Sequence, residues 1–230
     1  SDQGLAVLNQ EWPKIKHEFA TGGLWRIFRQ LKKTARTLST IKLKITLAEA
    51  KTVLLIGEVY VRKEEFSRLD LIQTLAEKGF VVKVAPVTEY IYYCNFLAKR
   101  GRRAKKISFG GRVKIFLQDL VQEIMERRVK NILAQSNLVH SHLVKINETI
   151  AYGQKHVALD LLGEGILTVG LALREIVEES CGVISIGPFA CMPSRLAEAI
   201  LNKEMTLTGK IKSGIDPHLV KTTPLPYLHI

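Results

Sequence analysis

Three short runs of apolar and β-branched residues constrain the fold of this chain most. They cover residues 52–57, 80–84 and 182–186, and each has the length of a strand buried on both faces of a parallel sheet. Apolar residues at helical spacing separate them, most clearly over 66–78 and 163–180. Strands alternating with helices predict an α/β fold, in which helices cover both faces of a mostly parallel, Rossmann-like sheet.

The same patterns predict the remaining elements and a domain organisation. We expect helices over 9–37 (broken at Gly22), from Pro86 onward, over 112–135 and over 193–201, a loop over 203–224 and a last strand over 226–230. Residues 1–50 are predicted to be a basic helical extension, and residues 51–230 an α/β domain with a helical insertion around 98–156. Because the last strand reaches the chain end, a fragment of a longer protein is one interpretation.

Positive charge is concentrated in two segments. The chain has 34 Lys and Arg against 22 Asp and Glu, a net charge of +12. Residues 1–50 hold nine Lys and Arg against four Asp and Glu, and residues 98–130 hold eleven against three, including the run KRGRRAKK at 99–106. Such segments are typical of contact with nucleic acid, an anionic ligand or an acidic protein, or of a solvated loop. Few aromatic residues flank the run, which disfavours single-stranded nucleic acid but leaves it as an alternative.

Cysteine content and hydropathy indicate the compartment. Three cysteines, an odd number, disfavour a fold built on disulfides. No apolar run approaches the ~18 residues of a membrane span. We therefore expect a cytoplasmic protein without membrane association.

A polar cluster follows the first predicted strand. Glu58, Tyr60 and Arg62 lie within five residues of its end. Ligands of open α/β sheets bind beyond the carboxyl ends of the strands, and an acid, a phenol and a guanidinium are suited to an anionic or hydrogen-bonding ligand. The alternative is an ion pair between Glu58 and Arg62 that orders the turn.

Two further segments precede predicted helices. Cys191 lies just before a helix N-terminus, whose partial positive charge favours a thiolate, and Arg195 adds to that effect. A thiolate binds metals and attacks electrophiles, whereas the alternative is a buried structural cysteine. Glu164, between Gly163 and Gly165, marks either an anion site at a helix N-terminus or a plain turn.

The other cysteines favour packing over ligation. Cys94 lies in an aromatic helix, and Cys181 lies at the amino end of a strand. The chain contains no C-x-x-C pair, so spacing alone indicates no zinc or iron–sulfur framework.

Four segments resemble one known family. They are GEVYVR (57–62, with Phe66-Ser67 beyond it), PVTEY (86–90), GEGILTVG (163–170) and GPFACMP (187–193). In this order they resemble segments of the large CoA-substrate-specific enzyme activases, which are related to the 2-hydroxyacyl-CoA dehydratases and their activators. The resemblance covers residues 50–202.

The resemblance implies a dehydratase-like α/β domain. In the dehydratases, cysteines of such domains ligate an iron–sulfur cluster that passes an electron to a CoA thioester. It implies Cys191, and secondarily Cys94, as ligands of a cluster of the 4Fe-4S type. Three cysteines fall short of four thiolates, so a cluster would need another ligand, a second chain or an open iron site. The ATP-binding module of the activators has no counterpart here.

Two functions follow as predictions, and whether the protein is an enzyme stays open. The first is a 2-hydroxyacyl-CoA dehydratase/activase-type domain that acts in electron transfer or activation toward an acyl-CoA enzyme or redox partner, with a homodimer as one arrangement. Its basic residues, including Lys32, Lys33, Arg102 and Arg103, would face CoA phosphates or an acidic partner. The alternative is a non-catalytic binding or scaffold domain whose basic segments contact nucleic acid or an acidic protein.

Overall fold

The strands predicted from the sequence form one sheet. A computed structural model describes residues 2–100, 108–178, 180–212 and 226–230. Its strands are β1 (Lys51–Gly57), β2 (Phe80–Val84), β3 (Gly182–Ile186) and β4 (Tyr227–His229). They lie in the order β2-β1-β3-β4, and each neighbouring pair is parallel. The α/β prediction is therefore confirmed as a four-stranded parallel sheet with helices.

Helices precede, connect and flank these strands. In chain order the described helices are α1 (Asp2–Thr21), α2 (Leu24–Ser39), α3 (Glu65–Arg68), α4 (Leu71–Glu77), α5 (Val87–Lys99), α6 (Phe109–Ala134), α7 (Ile146–Gly153), α8 (Gly165–Glu178), α9 (Met192–Glu204) and α10 (Leu207–Lys212). The break predicted at Gly22 separates α1 from α2, and Pro86 directly precedes α5, as expected. Among the described helices, none combines the length and the apolar character needed to cross a membrane.

The chain divides into two compact units. The helical unit consists of Ser1–Glu49 and Ser108–Leu143, and the sheet unit of Ala50–Ile107 and Val144–Ile230. The helical unit therefore contains α1, α2 and α6, and the sheet unit contains the four strands with the other helices. Most of the basic run at 99–106, including Arg102, Arg103, Lys105 and Lys106, lies outside the described residues.

Alternate residues of β1 belong to two separate apolar clusters. Leu54 and Ile56 pack with residues of α5, α7, α8 and α9. Val53 and Leu55 pack with residues of α4. Because successive side chains of a strand point to opposite faces, helices lie on both faces of the sheet. Each of these β1 side chains is buried, which stabilises the fold by about 1.5–3 kcal/mol per residue relative to exposure.

The prediction of one continuous helix over 66–78 is wrong. Glu64 begins the short helix α3, because its carboxylate accepts hydrogen bonds from the N–H groups of Phe66 (3.0 Å) and Ser67 (2.6 Å). Leu69 then has a φ of 44°, a left-handed conformation that ends α3 before α4 begins. Apolar spacing is the same across both helices, so periodicity does not reveal the break.

In two segments the structure has a helix where the sequence pattern assigns no individual helix. Residues 207–212 form α10, although composition predicts a loop over 203–224; residues 213–225 lie outside the described residues. The Thr206 hydroxyl accepts a hydrogen bond from the Gly209 N–H (3.0 Å), so a capping residue begins this helix. The α7 helix lies at the end of the predicted helical insertion around 98–156, in a stretch where the pattern assigns no individual helix.

An apolar core and a buried polar contact hold the helical unit together. Ile15 of α1 and Phe28 and Leu31 of α2 form a buried cluster against residues of α6. Glu11, which is 5% exposed, accepts a hydrogen bond from the Thr34 hydroxyl (2.8 Å). This bond links α1 to α2 and satisfies part of a carboxylate that would otherwise be costly to bury.

Gly57→Ala is expected to destabilise the protein far more than Gly79→Ala. Both glycines have left-handed φ values, 107° and 84°. A Cβ at Gly57 would lie 1.9 Å from the Ile186 carbonyl oxygen, whereas nothing lies within 4 Å of a Cβ at Gly79. We expect a loss of about 1 kcal/mol at Gly79 and at least about 2 kcal/mol more at Gly57. Urea denaturation followed by circular dichroism measures both, and equal losses would contradict the close approach of β1 to β3.

Candidate functional site

Two loops leave the same edge of the sheet where the strand order reverses. In the chain β1 is followed by β2 on one side, while β3 lies on its other side. The pairing continues past the strands, since the Glu58 N–H donates to the Ile186 carbonyl (3.0 Å). In open α/β sheets, ligands bind beyond the carboxyl ends of the strands at such a reversal. The segments after β1 and β3 are therefore where we expect a ligand.

A cavity of about 180 Å³ lies at this edge. We call it the switch-point cavity. The first residues of α8 and α9 form part of its wall, and the residues that line it include Glu58, Tyr90, Glu164, Thr168, Cys191 and Ser194. Its volume is below the ~300–1,000 Å³ of sites for drug-sized ligands. It is therefore suited to a small molecule or to one end of a larger one.

Two carboxylates hold the loop after β1. Glu58 Oε2 accepts a hydrogen bond from the Val61 N–H (2.7 Å), and Glu164 Oε2 accepts one from the Val59 N–H (2.8 Å). The second bond ties this loop to the start of α8. Burial, together with the negative charge of nearby Glu58, raises the pKa of Glu164. Both carboxylates therefore have a structural role besides lining the cavity.

Arg62 lies beneath the loop rather than in the cavity wall. It is 3% exposed, and its Nη1 donates to the Gly57 carbonyl (2.8 Å). Its Nη2 is 3.4 Å from the Pro86 carbonyl oxygen and 4.0 Å from Glu89 Oε2. Burial lowers the pKa of Arg62, and nearby carboxylates, Glu89 first, oppose that change. Arg62 therefore connects the end of β1 to the start of α5.

Glu89 is a buried acid that sequence reasoning did not single out. It lies in the first turn of α5, is 1% exposed, and neither carboxylate oxygen has a hydrogen-bond partner among the described residues. Burial raises its pKa to about 7, although Arg62 and then Arg174 act in the opposite direction. An acid in a first helical turn is usually exposed and interacts with the helix dipole, so no sequence signal marks this one as buried.

Cys191 faces the cavity from the residue before α9. The Cys191 N–H donates to the Pro188 carbonyl (3.1 Å), and Ala190 has a φ of 60°, so a tight turn follows β3. The side chain is half-buried and makes no capping hydrogen bond to the helix. Cys191 therefore lines the cavity without capping α9.

The remaining predicted residues are not among those that line the cavity. Tyr60 is 68% exposed. The Arg195 side chain is largely exposed and pairs with Glu198 (2.7 Å). Cys94 is half-buried on α5. The structure thus brings Glu58, Glu164 and Cys191 together at one cavity. Tyr60, Arg195 and Cys94 do not line it.

Ser194 and Thr168 also line the cavity, although the sequence reasoning did not single them out. Helical spacing relates them to Cys191 and Glu164, which it did single out. Ser194 lies three residues after Cys191, and Thr168 lies four residues after Glu164; residues at these spacings share a face at the start of a helix. Both Ser194 and Thr168 are buried and line the cavity. Spacing was therefore a usable signal for these hydroxyls, whereas nothing in the sequence places Tyr90 beside them.

The cavity does not fit an iron–sulfur cluster ligated by this chain alone. A 4Fe-4S cluster takes four cysteine thiolates. Cys191 is the cysteine that lines the cavity. Across the described ranges, no group of three or more His, Cys, Asp and Glu side chains is placed to hold a metal ion. The predicted pairing of Cys191 with Cys94 as metal ligands stays a prediction.

Comparison with known proteins adds no relative. No protein-family model, no curated protein and no solved structure matches the chain. A fold shared with many proteins does not define a function. The resemblance to the activases stays a prediction, and the function has to be argued from the site.

Glu89→Gln is expected to change how stability depends on pH. Since the folded-state pKa of Glu89 is about 7 against a usual 4.5, its contribution to stability is fully present below about pH 4.5 and is lost as the pH rises through 7. Glutamine stays uncharged, so the variant does not undergo this loss. Between pH 5 and pH 8 its free energy of unfolding should gain about 2–3 kcal/mol relative to wild type.

Urea denaturation at the two pH values measures this change. Glu65→Gln is the matched control, because Glu65 also lies in a first helical turn but is exposed. If the difference in free energy of unfolding between Glu89→Gln and wild type is the same at both pH values, Glu89 is not protonated in the folded protein at pH 5–7.

Proposed function

We propose that this chain is a dehydratase/activase-type α/β domain of Rossmann-like organisation that acts in electron transfer or activation toward an acyl-CoA enzyme. The observation that supports it is convergence at the switch-point cavity. Glu58, Tyr90, Glu164 and Cys191 line that cavity, and each comes from a different one of the four segments that carry the resemblance. These four segments are far apart in the sequence but meet at one cavity. A single site there explains why the resemblance involves all four segments.

The cavity walls suit a small ligand with a carbonyl or another electrophilic centre. The N-terminal turns of α8 and α9 carry N–H groups without intrahelical partners, which favour a carbonyl oxygen or an anion. The hydroxyls of Thr168 and Ser194 add hydrogen-bonding groups, and the Cys191 thiol is the nucleophile of the set. The proposed ligand is therefore a thiol-reactive carbonyl compound, of the class to which acyl thioesters belong.

A cluster enters this proposal only with ligands from outside the chain. Cys191 can supply one thiolate, and a 4Fe-4S cluster needs four. The proposal for the chain's own residues is binding and orientation: the helix N-termini and hydroxyls hold the ligand, and Cys191 faces it.

A second candidate function is supported by a different observation. The segments that form the helical unit, residues 1–49 and 108–143, carry fourteen Lys and Arg against seven Asp and Glu. This charge supports a binding domain for an acidic protein partner, and it is compatible with the first proposal because it concerns the other unit.

Iodoacetamide is expected to alkylate Cys191 about tenfold faster than Cys181. Iodoacetamide is small enough for the cavity, which Cys191 lines. The Cys181 thiol is instead 3.2 Å from the Thr52 carbonyl oxygen, at the opposite edge of the sheet. Mass spectrometry of quenched time points gives both rates.

Thr168→Met should fill the cavity and slow alkylation of Cys191 about tenfold without changing the rate at Cys181.

Two outcomes would contradict the proposal. Equal alkylation of the two cysteines, or no effect of Thr168→Met in a variant that circular dichroism shows to be folded, would mean that the cavity is not the reactive site. Iron and sulfide analysis of protein purified without oxygen tests the cluster separately. Absorption near ~400 nm that disappears in Cys191→Ala would indicate a cluster completed by other ligands. Protein that stays iron-free after reconstitution with iron, sulfide and an added thiol ligand would contradict the electron-transfer role at this site.

A further inference from the structure

The helical unit contains an open groove between α2 and α6, with a volume of about 650 Å³. We call it the α2–α6 groove. Its apolar lining residues are Trp25, Phe28, Ile124 and Ile132, and its cationic ones are Arg29, Lys32, Arg127 and Arg128. The groove therefore combines an apolar surface with cations from both helices, whereas no Lys or Arg is among the described residues that line the switch-point cavity.

The charge of the groove is not balanced within it. No acidic side chain is found among its lining residues in the part of the chain that the structure describes. The Arg128 guanidinium lies over the Phe28 ring, 4.3 Å from its centroid, and Arg127 is held by Glu123 one turn earlier on α6 (2.9 Å). Arg127 is thus already balanced by Glu123, and the positive charge of the groove comes from Arg29, Lys32 and Arg128. A negatively charged occupant is complementary to this surface.

Exposed apolar residues continue from the groove along α6. Leu117, Leu120, Val121 and Ile124 are 46–55% exposed, and their spacing of three and four residues puts them on one face of the helix. Seven residues of helix extend about 10 Å. Trp25, on the other wall of the groove, is 65% exposed. Contiguous apolar surface of this kind is typical of interaction sites.

The length of the apolar surface distinguishes between two kinds of occupant, a small amphipathic anion and a helix. A small amphipathic anion confined to the groove would leave Leu117 and Leu120 exposed to water. A helix that lies along α6 covers this stripe and the groove together. Helix-in-groove binding uses apolar anchors at the same spacing of three and four residues that α6 displays.

We propose that the α2–α6 groove binds an amphipathic helix of a protein partner. The partner helix has apolar side chains on the face that contacts Ile124 and Trp25, and Asp or Glu on its flanks, opposite Arg29 and Lys32. This surface is separate from the switch-point cavity, so the proposal holds whatever ligand Cys191 faces.

A synthetic peptide tests the proposal with the full chain as receptor. The probe is a fluorescein-labelled peptide of about 18 residues, five helical turns, with Leu at helical spacing and Glu on both flanks. Fluorescence anisotropy should give at least about tenfold tighter binding than for a scrambled peptide of the same composition or a peptide with Lys in place of Glu. Added salt should weaken the binding, because the charges at the rim are exposed.

A pair of neighbouring charge reversals tests the site. Lys32 lines the groove, whereas Lys33 is an exposed neighbour on α2 outside it. Lys32→Glu should weaken peptide binding about tenfold, and Lys33→Glu, with the same change in net charge, less than about twofold. In a Trp12→Phe background Trp25 is the remaining tryptophan, and its emission should shift to shorter wavelength when the peptide covers it.

Several outcomes would overturn the proposal. Equal weakening by both lysine variants would mean that net charge alone attracts the peptide. Binding to vesicles of phosphatidylglycerol and phosphatidylcholine that depends on Lys32, without peptide binding, would assign the groove to a membrane surface. Self-association that Ile124→Gln abolishes would assign it to a second copy of the chain. Cys191→Ala should leave peptide binding unchanged, so failure of this proposal is distinguishable from failure of the cavity proposal.

Discussion

The parallel pairing of β1 with β3 positions the walls of the switch-point cavity. Gly57 pairs with Ile186 at the end of this ladder, and the Glu58 N–H extends it by one hydrogen bond. Both segments therefore leave the sheet side by side, and Glu58 and Cys191 reach one cavity. The two backbones approach so closely that a side chain at position 57 would collide with the Ile186 carbonyl. The site therefore depends on a glycine that is not itself among the residues that line the cavity.

Buried ionisable groups beneath the loop make this arrangement costly. Arg62 and Glu89 are almost fully buried, yet their closest approach is 4.0 Å. Removing an isolated charge from water costs several kcal/mol. The structure lowers that cost in two ways: Arg62 donates to the Gly57 carbonyl, and Glu89, with its pKa raised to about 7, is neutral over most of the acidic range. Glu89 is thus a group whose charge changes near neutral pH close to the cavity wall.

The two units present surfaces of different chemistry. The sheet unit has a small cavity lined by carboxylates, hydroxyls and the Cys191 thiol. The helical unit has a larger groove that is lined by both apolar and cationic residues. A cavity of this size suits a small ligand or one end of a larger one, whereas the groove suits a helix. The two proposals, a small ligand for the cavity and a partner helix for the groove, therefore concern different units and can be tested separately.

Local patterns were sufficient to predict the strands, most of the helices, and the places of Glu58 after a strand and Cys191 before a helix. Apolar periodicity, β-branched runs and glycine or proline breaks act within a few residues, so they can be read along the chain. Contacts between distant segments account for the rest. They bring Glu58 and Cys191 to one cavity, leave Tyr60 and Arg195 exposed, and bury Glu89. Burial depends on which segments pack against a side chain, and the residues next to it in the sequence do not show which distant segments those are.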